Sequence, residues 1–292
     1  MKTNKQGVQV EKRYSFAADT WRRLRKNKLA MVGIVILVVL IACALFADFL
    51  APYALDAQDL MNTFQLPTKE HIFGTDEYGR DIFSRCIYGA RVSLVVGFIA
   101  VGFAIVAGVI LGSIAGYFGG HVDNGVMRVM DVLMSIPQML LAISISAALG
   151  SGLFNLMLAV GIANTPSYAR IVRASVLSVK DQEYIEAAKA IGTSDFKIII
   201  KHVLPNCMAP IIVQATAGVA LAILTAAGLS FLGLGIQPPT PEWGSMLSSG
   251  RYYIRDNWNM TVFPGLCIAA TIFSLNVLGD GLRDALDPKL RD

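Results

Sequence analysis

Two stretches of this chain carry residues that could do chemistry. The first is Gly74–Arg85, which gathers Asp76, Glu77 and Asp81 with Arg80 and Arg85. Carboxylates so close could hold a metal ion or share a proton. A catalytic site would also need a recognisable nucleophile and base, and none stands beside them. The alternating signs point instead to turn caps and local ion pairs of the kind surfaces carry, including contact with an external partner. The second stretch is Ser178–Pro205, SVKDQEYIEAAKAIGTSDFKIIIKHVLP, which is charged but otherwise looks built to bind. Elsewhere the signals are thin. Cys43, Cys86, Cys207 and Cys267 have no metal-ligand or redox spacing, and His71, His121 and His202 are scattered. There is no GxxxxGK[ST], so the chain has no phosphate-binding loop of its own. We expect no catalytic residue, no metal site and no cofactor in this chain.

The charged stretch reads as two short helices around a glycine. Ser178 with Asp181 fits a capping box. Tyr184, Ala187, Ala188 and Ile191 then recur at helical spacing, with Glu183, Glu186 and Lys189 on the remaining surface. Gly192 stands where a helix stops in a left-handed conformation. Thr193 or Ser194 can cap a second helix, striped by Phe196, Ile199, Ile200 and Val203 and ended by Pro205. Helices this short are unstable alone in water, so each must bury its stripe. The alanines of the first suit close approach to a partner's groove, but a helix lying on the lipid surface has the same pattern.

The elements that must position this stretch are membrane spans. The chain is 54% hydrophobic and 16% charged, with mean hydropathy +0.56, which a soluble protein of 292 residues does not show. The net charge of +4 is too modest to imply a nucleic-acid partner. A bilayer core needs about 20 apolar residues per helix. Leu29–Ala47 makes a first span, whose apolar run exceeds a signal peptide's core. Val92–Gly120 makes a second. The uncharged run Val132–Ala169 is about twice too long for one crossing and should fold back at Gly150-Ser151-Gly152, giving two more. Cys207–Leu234 and Val262–Leu282 bring the expectation to six, with both termini on one side. That side, holding the tail, the 120–131 and 170–201 connections and the C-terminus, carries 19 of the 25 Lys and Arg residues. It is therefore expected to be cytoplasmic.

The expected organisation is a cytoplasmic tail over 1–28, a first span over 29–50 and an extracytoplasmic segment over 51–91. A five-helix core over 92–282 follows, with the charged loop at 170–206 and an outer loop at 236–261, then a cytoplasmic C-terminus over 283–292. Trp21 and Trp258 fall where interfacial anchors would. Within spans, Gly108, Gly112 and Gly116 form a ridge for close helix packing, and Asn164-Thr165-Pro166 should kink or interrupt the fourth. Gln214, Asn155 and Asn276 should face the bundle or an aqueous path. Val122, Val126, Val129, Leu133 and Ile136 predict an amphipathic helix packed beneath the bundle, with Arg128 and Asp131 as an i, i+3 pair.

Glu186-Ala187-Ala188, then Gly192, then Leu204-Pro205 resembles the EAA loop of permease subunits of binding-protein-dependent ABC importers. His202 departs from that pattern, where a hydrophobic residue is usual. The resemblance covers nearly the whole chain. Gly74-Thr75-Asp76-Glu77-Tyr78-Gly79-Arg80-Asp81 with Ser84-Arg85, Ala115–Gly120, Gln237–Gly244 and Gly279–Asp284 resemble the C-type subunit of dipeptide, oligopeptide and nickel permeases. It implies an all-α, six-helix fold of the type I ABC importer permease kind in a prokaryotic inner membrane. It implies a second homologous permease, two cytoplasmic ATPases that bind ATP and Mg, and an extracytoplasmic solute-binding protein. It also implies that the first loop helix is the coupling helix, with Tyr184, Glu186, Ala187, Ala188, Ile191 and Gly192 at the ATPase interface. Short peptides are then the expected cargo, a nickel ion or metal chelate the alternative. A stand-alone secondary transporter or channel is the rival class, and the absence of mid-span carboxylates argues against it.

Overall fold

The computed structural model describes residues 16–286; the expectations for the first fifteen residues and the last six lie outside them. The described residues are helical apart from loops and one isolated antiparallel bridge, Thr75–Asp81. In chain order, α1 (Phe16–Leu24) leads into α2 (Lys28–Leu45), which Asn27 caps by accepting from the Ala30 amide at 3.1 Å. The short α3 (Ala47–Leu50) precedes a looped segment, and α4 (Ile82–Phe118) crosses the molecule. α4 starts ten residues earlier than its uncharged run because Asp81 caps it, accepting from the Ser84 amide at 2.7 Å.

α5 (Gly120–Met134) and α6 (Gln138–Leu149) meet at 89°. Pro137 disfavours helix at the residue before it, which fits the break falling at 135–137. α6, at 12 residues, is only about 18 Å long, too short to make the third expected span alone. The chain turns back at Gly150 (φ 84) and Gly152 (φ 141), where a turn was expected. α7 (Leu153–Val179) follows, then α8 (Glu183–Ala190) and α9 (Asp195–Ile198). From Asp195 the helix is continuous to Phe231. It passes through a π turn (Ile199–Val203) and a 3-10 turn (Leu204–Cys207) into α10 (Met208–Phe231). The segment expected to be an outer loop holds a helix, α11 (Trp243–Gly250), and α12 (Asn259–Leu286) closes the fold.

Among the described residues four helices are long and apolar enough to cross a membrane: α2, α4, the Asp195–Phe231 helix and α12. The bent α5–α6 pair makes a fifth if counted as one span. α7 falls outside that set, so the apolar-span count is lower than the six expected. At 27 residues it is about 40 Å long, long enough; Asn164, Thr165, Ser167, Arg170 and Arg173 dilute its apolar character. Burial explains how it tolerates the first two. Asn164 and Thr165 are buried and donate to the Val160 and Gly161 carbonyls at 2.7 and 2.9 Å, and Gln138 donates to Asn164 Oδ1 at 2.9 Å. Of the kink or interruption expected at Asn164-Thr165-Pro166, the interruption does not occur: Pro166 sits inside an unbroken helix.

α4 and α7 form the tightest pair. A Cβ added to Gly108 would lie 2.5 Å from the Tyr168 Cβ, and one on Gly112 2.4 Å from the Ala169 carbonyl oxygen. Only glycine admits that approach, as the ridge predicted. Ala100, Ala104, Val160, Tyr168, Ile223 and Leu229 fill the common core with α10. The α5 stripe packs only in part. Leu133 meets the main core and Val126 is half-buried, while Val122, Val129 and Ile136 are exposed. Asp131 bonds Arg170 at 2.8 Å instead of pairing with Arg128.

Candidate functional site: the loop between α7 and α10

The connection from α7 to α8 does not start as the sequence suggests. α7 runs on through Ser178, whose hydroxyl donates to the Ser175 carbonyl at 2.8 Å, so the capping box with Asp181 does not form. Gln182 occupies the cap position of α8 without a side-chain cap.

α8 carries two apolar faces where one was expected. Ile185 (0% exposed) and Ala188 (6%) are buried. They join a second core with Val172 and Val176 of α7, Ile198, Val203, Cys207 and Ile211. Tyr184 and Ile191 are 44% and 82% exposed, and Glu183, Glu186 and Ala187 are exposed with them. The predicted stripe therefore splits. Ala188 faces the bundle, and Tyr184, Ala187 and Ile191 form an outward apolar strip flanked by carboxylates. Ile185, the residue that seats the helix, was missed because it adjoins Tyr184 and breaks the single-face pattern.

Gly192 ends α8 as predicted, at φ 79. Its amide bonds the Lys189 carbonyl at 2.9 Å, and the Thr193 amide bonds that of Ala188 at 3.1 Å, the paired closure of a Schellman motif. Ser194 takes the cap position of α9 without a side-chain bond. Beyond it the expected face fails: Phe196 (73%) and Ile200 (48%) are exposed, while Ile198 and Val203 are buried. The buried pair is five residues apart because the π turn shifts the register within one turn. Pro205 does not end the helix. The chain tightens to a 3-10 turn around it, and Asn206 donates to the His202 carbonyl at 2.7 Å.

Polar contacts tie this loop to its surroundings. The Tyr117 hydroxyl at the end of α4 donates to Asp195 Oδ1 at 2.6 Å. The Lys189 ammonium lies 5.3 Å from the Tyr117 ring centroid. Arg173 of α7 holds Asp123 of α5, Nη2 to Oδ2 at 2.6 Å. An open cavity of about 480 Å³ nearby is lined by Ile171, Gln214 and Arg283. Asn276 is exposed on α12, and Asn155 bonds the Leu149 carbonyl in the α6–α7 turn at 2.8 Å.

The Gly74–Arg85 cluster, at the opposite end of α4, is folded in on itself. Asp76 accepts from Arg80 Nε at 2.6 Å and from the Tyr78 and Arg80 amides at 2.9 and 3.0 Å, with Arg85 Nε 3.6 Å away. Asp81 pairs with His71 Nδ1 at 3.0 Å. Asp76, Arg80, Asp81 and Arg85 are buried, so these are not the surface pairs the sequence suggested. Glu77 Oε2 has no hydrogen-bond partner, and burial pushes its carboxyl above the ordinary range. Among the described residues, no group of three or more His, Cys, Asp or Glu is placed to hold a metal. Glu242 caps α11 through the Gly244 and Ser245 amides at 2.9 and 2.8 Å. Trp243, fully buried, donates its indole N–H to the Cys86 carbonyl at 3.0 Å. No helical period marks either residue in the sequence.

An α-helical bundle of apolar helices, carrying an outward apolar strip on a short loop helix, has the makings of a membrane subunit that works through partners. The sequence pattern of the binding-protein-dependent transport system inner membrane component matches residues 108–292, and the N-terminal TM domain of oligopeptide transport permease C matches residues 15–67. The chain belongs to the binding-protein-dependent transport system inner membrane component family. It is 48% identical over 273 residues to a dipeptide transport system permease protein, DppC, of Alkalihalophilus pseudofirmus, covering 94% of this chain and 90% of that one. It is 46% identical over 276 residues to the glutathione transport system permease protein GsiD of Escherichia coli O157:H7, with the same coverage. A chain of the inward-facing MetNI methionine ABC transporter superposes with TM-score 0.56 at 18% identity, covering 70% of this chain and 96% of that one. The fold is that of a type I ABC importer permease.

Proposed function

We propose that this chain is one of two homologous permeases that enclose the path of an ATP-driven importer for short peptides. The observation that carries the reading is the strip of Tyr184, Ala187 and Ile191, left exposed on a helix whose opposite face is firmly seated. An apolar strip with a fixed back is a surface made to be covered. Two cytoplasmic ATPases, binding ATP and Mg, would each take one such helix into a groove. Glu186 and the Gly192 turn would lie at the edge of that contact, and Ala188 would support it from behind. Identity to dipeptide and glutathione permeases over 94% of the chain favours peptides of two or three residues as cargo.

In this reading α7 supplies the sixth crossing, shielded from lipid by α4, α6 and α10. Both termini and the α8 loop lie in the cytoplasm, and the Gly74–Arg85 end faces an external solute-binding protein. The exposed apolar residues of α5 and α6 would meet the second permease. ATP-driven closure of the ATPases moves α8 with α7 and α4 and turns the path outward. The free energy of that switch comes from contacts that differ between the two states.

The test is uptake of a labelled dipeptide into proteoliposomes holding both permeases, with and without the ATPases and the binding protein. Uptake should require all of them together with ATP. Flux through this chain alone under an ion gradient would replace the reading with a secondary transporter. Uptake of nickel and not of peptide would replace the cargo.

A further inference from the structure

In the Ala115–Gly120 segment span packing accounts for Gly116, but its neighbour Tyr117 makes an unusual set of contacts. Tyr117 sits one residue before the end of α4, and it reaches both sides of the Gly192 turn at once. Its hydroxyl donates to Asp195 Oδ1 at 2.6 Å, on the first residue of α9. Its ring lies beneath the ammonium of Lys189, 5.3 Å from the centroid, in the last turn of α8. The ring also packs on the second core that seats Ile185 and Ala188.

The turn itself has no such anchor. A Cβ on Gly192 would meet nothing within 4 Å, and Ile191, Gly192 and Ser194 are exposed. The seat of α8 is two side chains deep, Ile185 and Ala188. Apolar contacts on one face fix the distance of a helix from its support but leave it free to roll about its axis. A directional bond beyond one end removes that freedom, because a hydrogen bond weakens steeply with angle. Tyr117 in turn stands on α4 where that helix packs closely on α7. The residue before it, Gly116, is so close to α7 that an added Cβ would lie 2.9 Å from the Val176 Cβ.

We propose that Tyr117 is a positioning residue for coupling. It sets the roll of α8 by holding Asp195 and Lys189 together, and so passes movement of the docked helix to the α4–α7 pair without slack. The proposal rests on the reading of α8 as the ATPase-docking helix.

The test uses the complete importer in proteoliposomes, with peptide uptake and ATP hydrolysis measured on the same preparation. Tyr117→Phe keeps the ring, the packing and the cation contact and removes only the hydroxyl. The peptide taken up per ATP hydrolysed should fall on the order of tenfold, the equivalent of one hydrogen bond to a charged group, while ATPase co-purification is retained. Asp195→Asn leaves an acceptor for the hydroxyl and should keep most of the coupling; Asp195→Ala should lose as much as Tyr117→Phe. The double variant Tyr117→Phe with Asp195→Ala should lose no more than either single one. An unchanged uptake-to-hydrolysis ratio in Tyr117→Phe overturns the proposal, as do additive losses in the double variant. A separate arm, Ala187→Trp, probes the docking itself. If it leaves ATPase co-purification intact, α8 is not the docking helix and the Tyr117 proposal falls with that reading. If it abolishes co-purification while Tyr117→Phe couples normally, docking stands and only the positioning role fails.

Discussion

At the end of the bundle where α4 begins, Asp76, Arg80, Asp81 and Arg85 are buried and bonded to one another or to local amides, and Glu242 and Trp243 lock α11 against α4. At the other end α8 keeps Tyr184 and Ile191 in solvent and rests on two buried side chains. The first end is completed by its own residues and the second is left unfinished by them. Charge alone does not show which end binds: both segments are charged, and what separates them is how far each is buried inside the chain. Substitutions should therefore cost stability at the first end and partnership at the second.

The largest effect is expected at the ion-paired end. Replacing Arg80 by Ala leaves Asp76 buried without its closest cation. Breaking a buried pair from one side costs about 3–5 kcal/mol, which a loss of folded protein in detergent thermal melts would register. A melt that matches the unmutated protein would show that this end is not self-supporting and would dissolve the contrast. Next comes the α4–α7 contact that links the two ends. Gly112→Val places a side chain where an added Cβ is already 2.4 Å from the Ala169 carbonyl oxygen. Overpacking of this kind costs about 1–3 kcal/mol, and the melting temperature should fall accordingly.

Gly192→Val acts at the loop end and should separate the two kinds of effect. Nothing lies near the site to clash with, so the whole penalty is backbone strain at φ 79, about 1–2 kcal/mol. Global stability should shift little, because the turn opens locally, while coupled peptide uptake should collapse. Retained uptake would count against a fixed α8–α9 geometry. Tyr184→Ala lies further down the stability scale. An exposed side chain away from caps and cores changes stability by within about 0.5 kcal/mol, yet the variant should lose ATPase co-purification. Full assembly with Tyr184→Ala would remove it from the docking strip.

The sequence made four of the six expected spans, the α6–α7 turn, the glycine ridge and the Gly192 stop legible, because each is a local property of spacing or of one residue's backbone. Three things were not. The split of α8 into two faces depends on Ile185 finding Val172 and Val176, which no window of the sequence places beside it. The shifted register of Ile198 and Val203 follows from a π turn that leaves no compositional mark. The burial of the Gly74–Arg85 charges required the outer segment to fold onto α12, where Asn259 donates to the Phe73 carbonyl at 2.8 Å and Phe73 stacks on Phe263 at 3.8 Å. Patterns that contact a neighbour in sequence could be read; patterns that contact a neighbour in space could not.

The smallest effect tests an imperfection at the ion-paired end. Glu77 has a buried oxygen with no partner, and Arg80 reaches its other oxygen only at 3.5 Å. Burial is the leading cause of its raised carboxyl pKa, outweighing the nearby arginines. A carboxyl whose folded pKa lies above its unfolded one binds protons more readily in the folded state. Its favourable contribution is then fully present below the unfolded pKa and is lost as pH rises through the folded value. Glu77→Gln removes the titration. At neutral pH the variant should melt slightly higher than the unmutated protein, and the difference should vanish on acidification into the carboxylate range. The effect should be modest, since the side chain is not wholly shielded from solvent. If the variant melts lower at neutral pH, Arg80 outweighs burial at Glu77, and the ion-paired end is completed down to its last carboxylate.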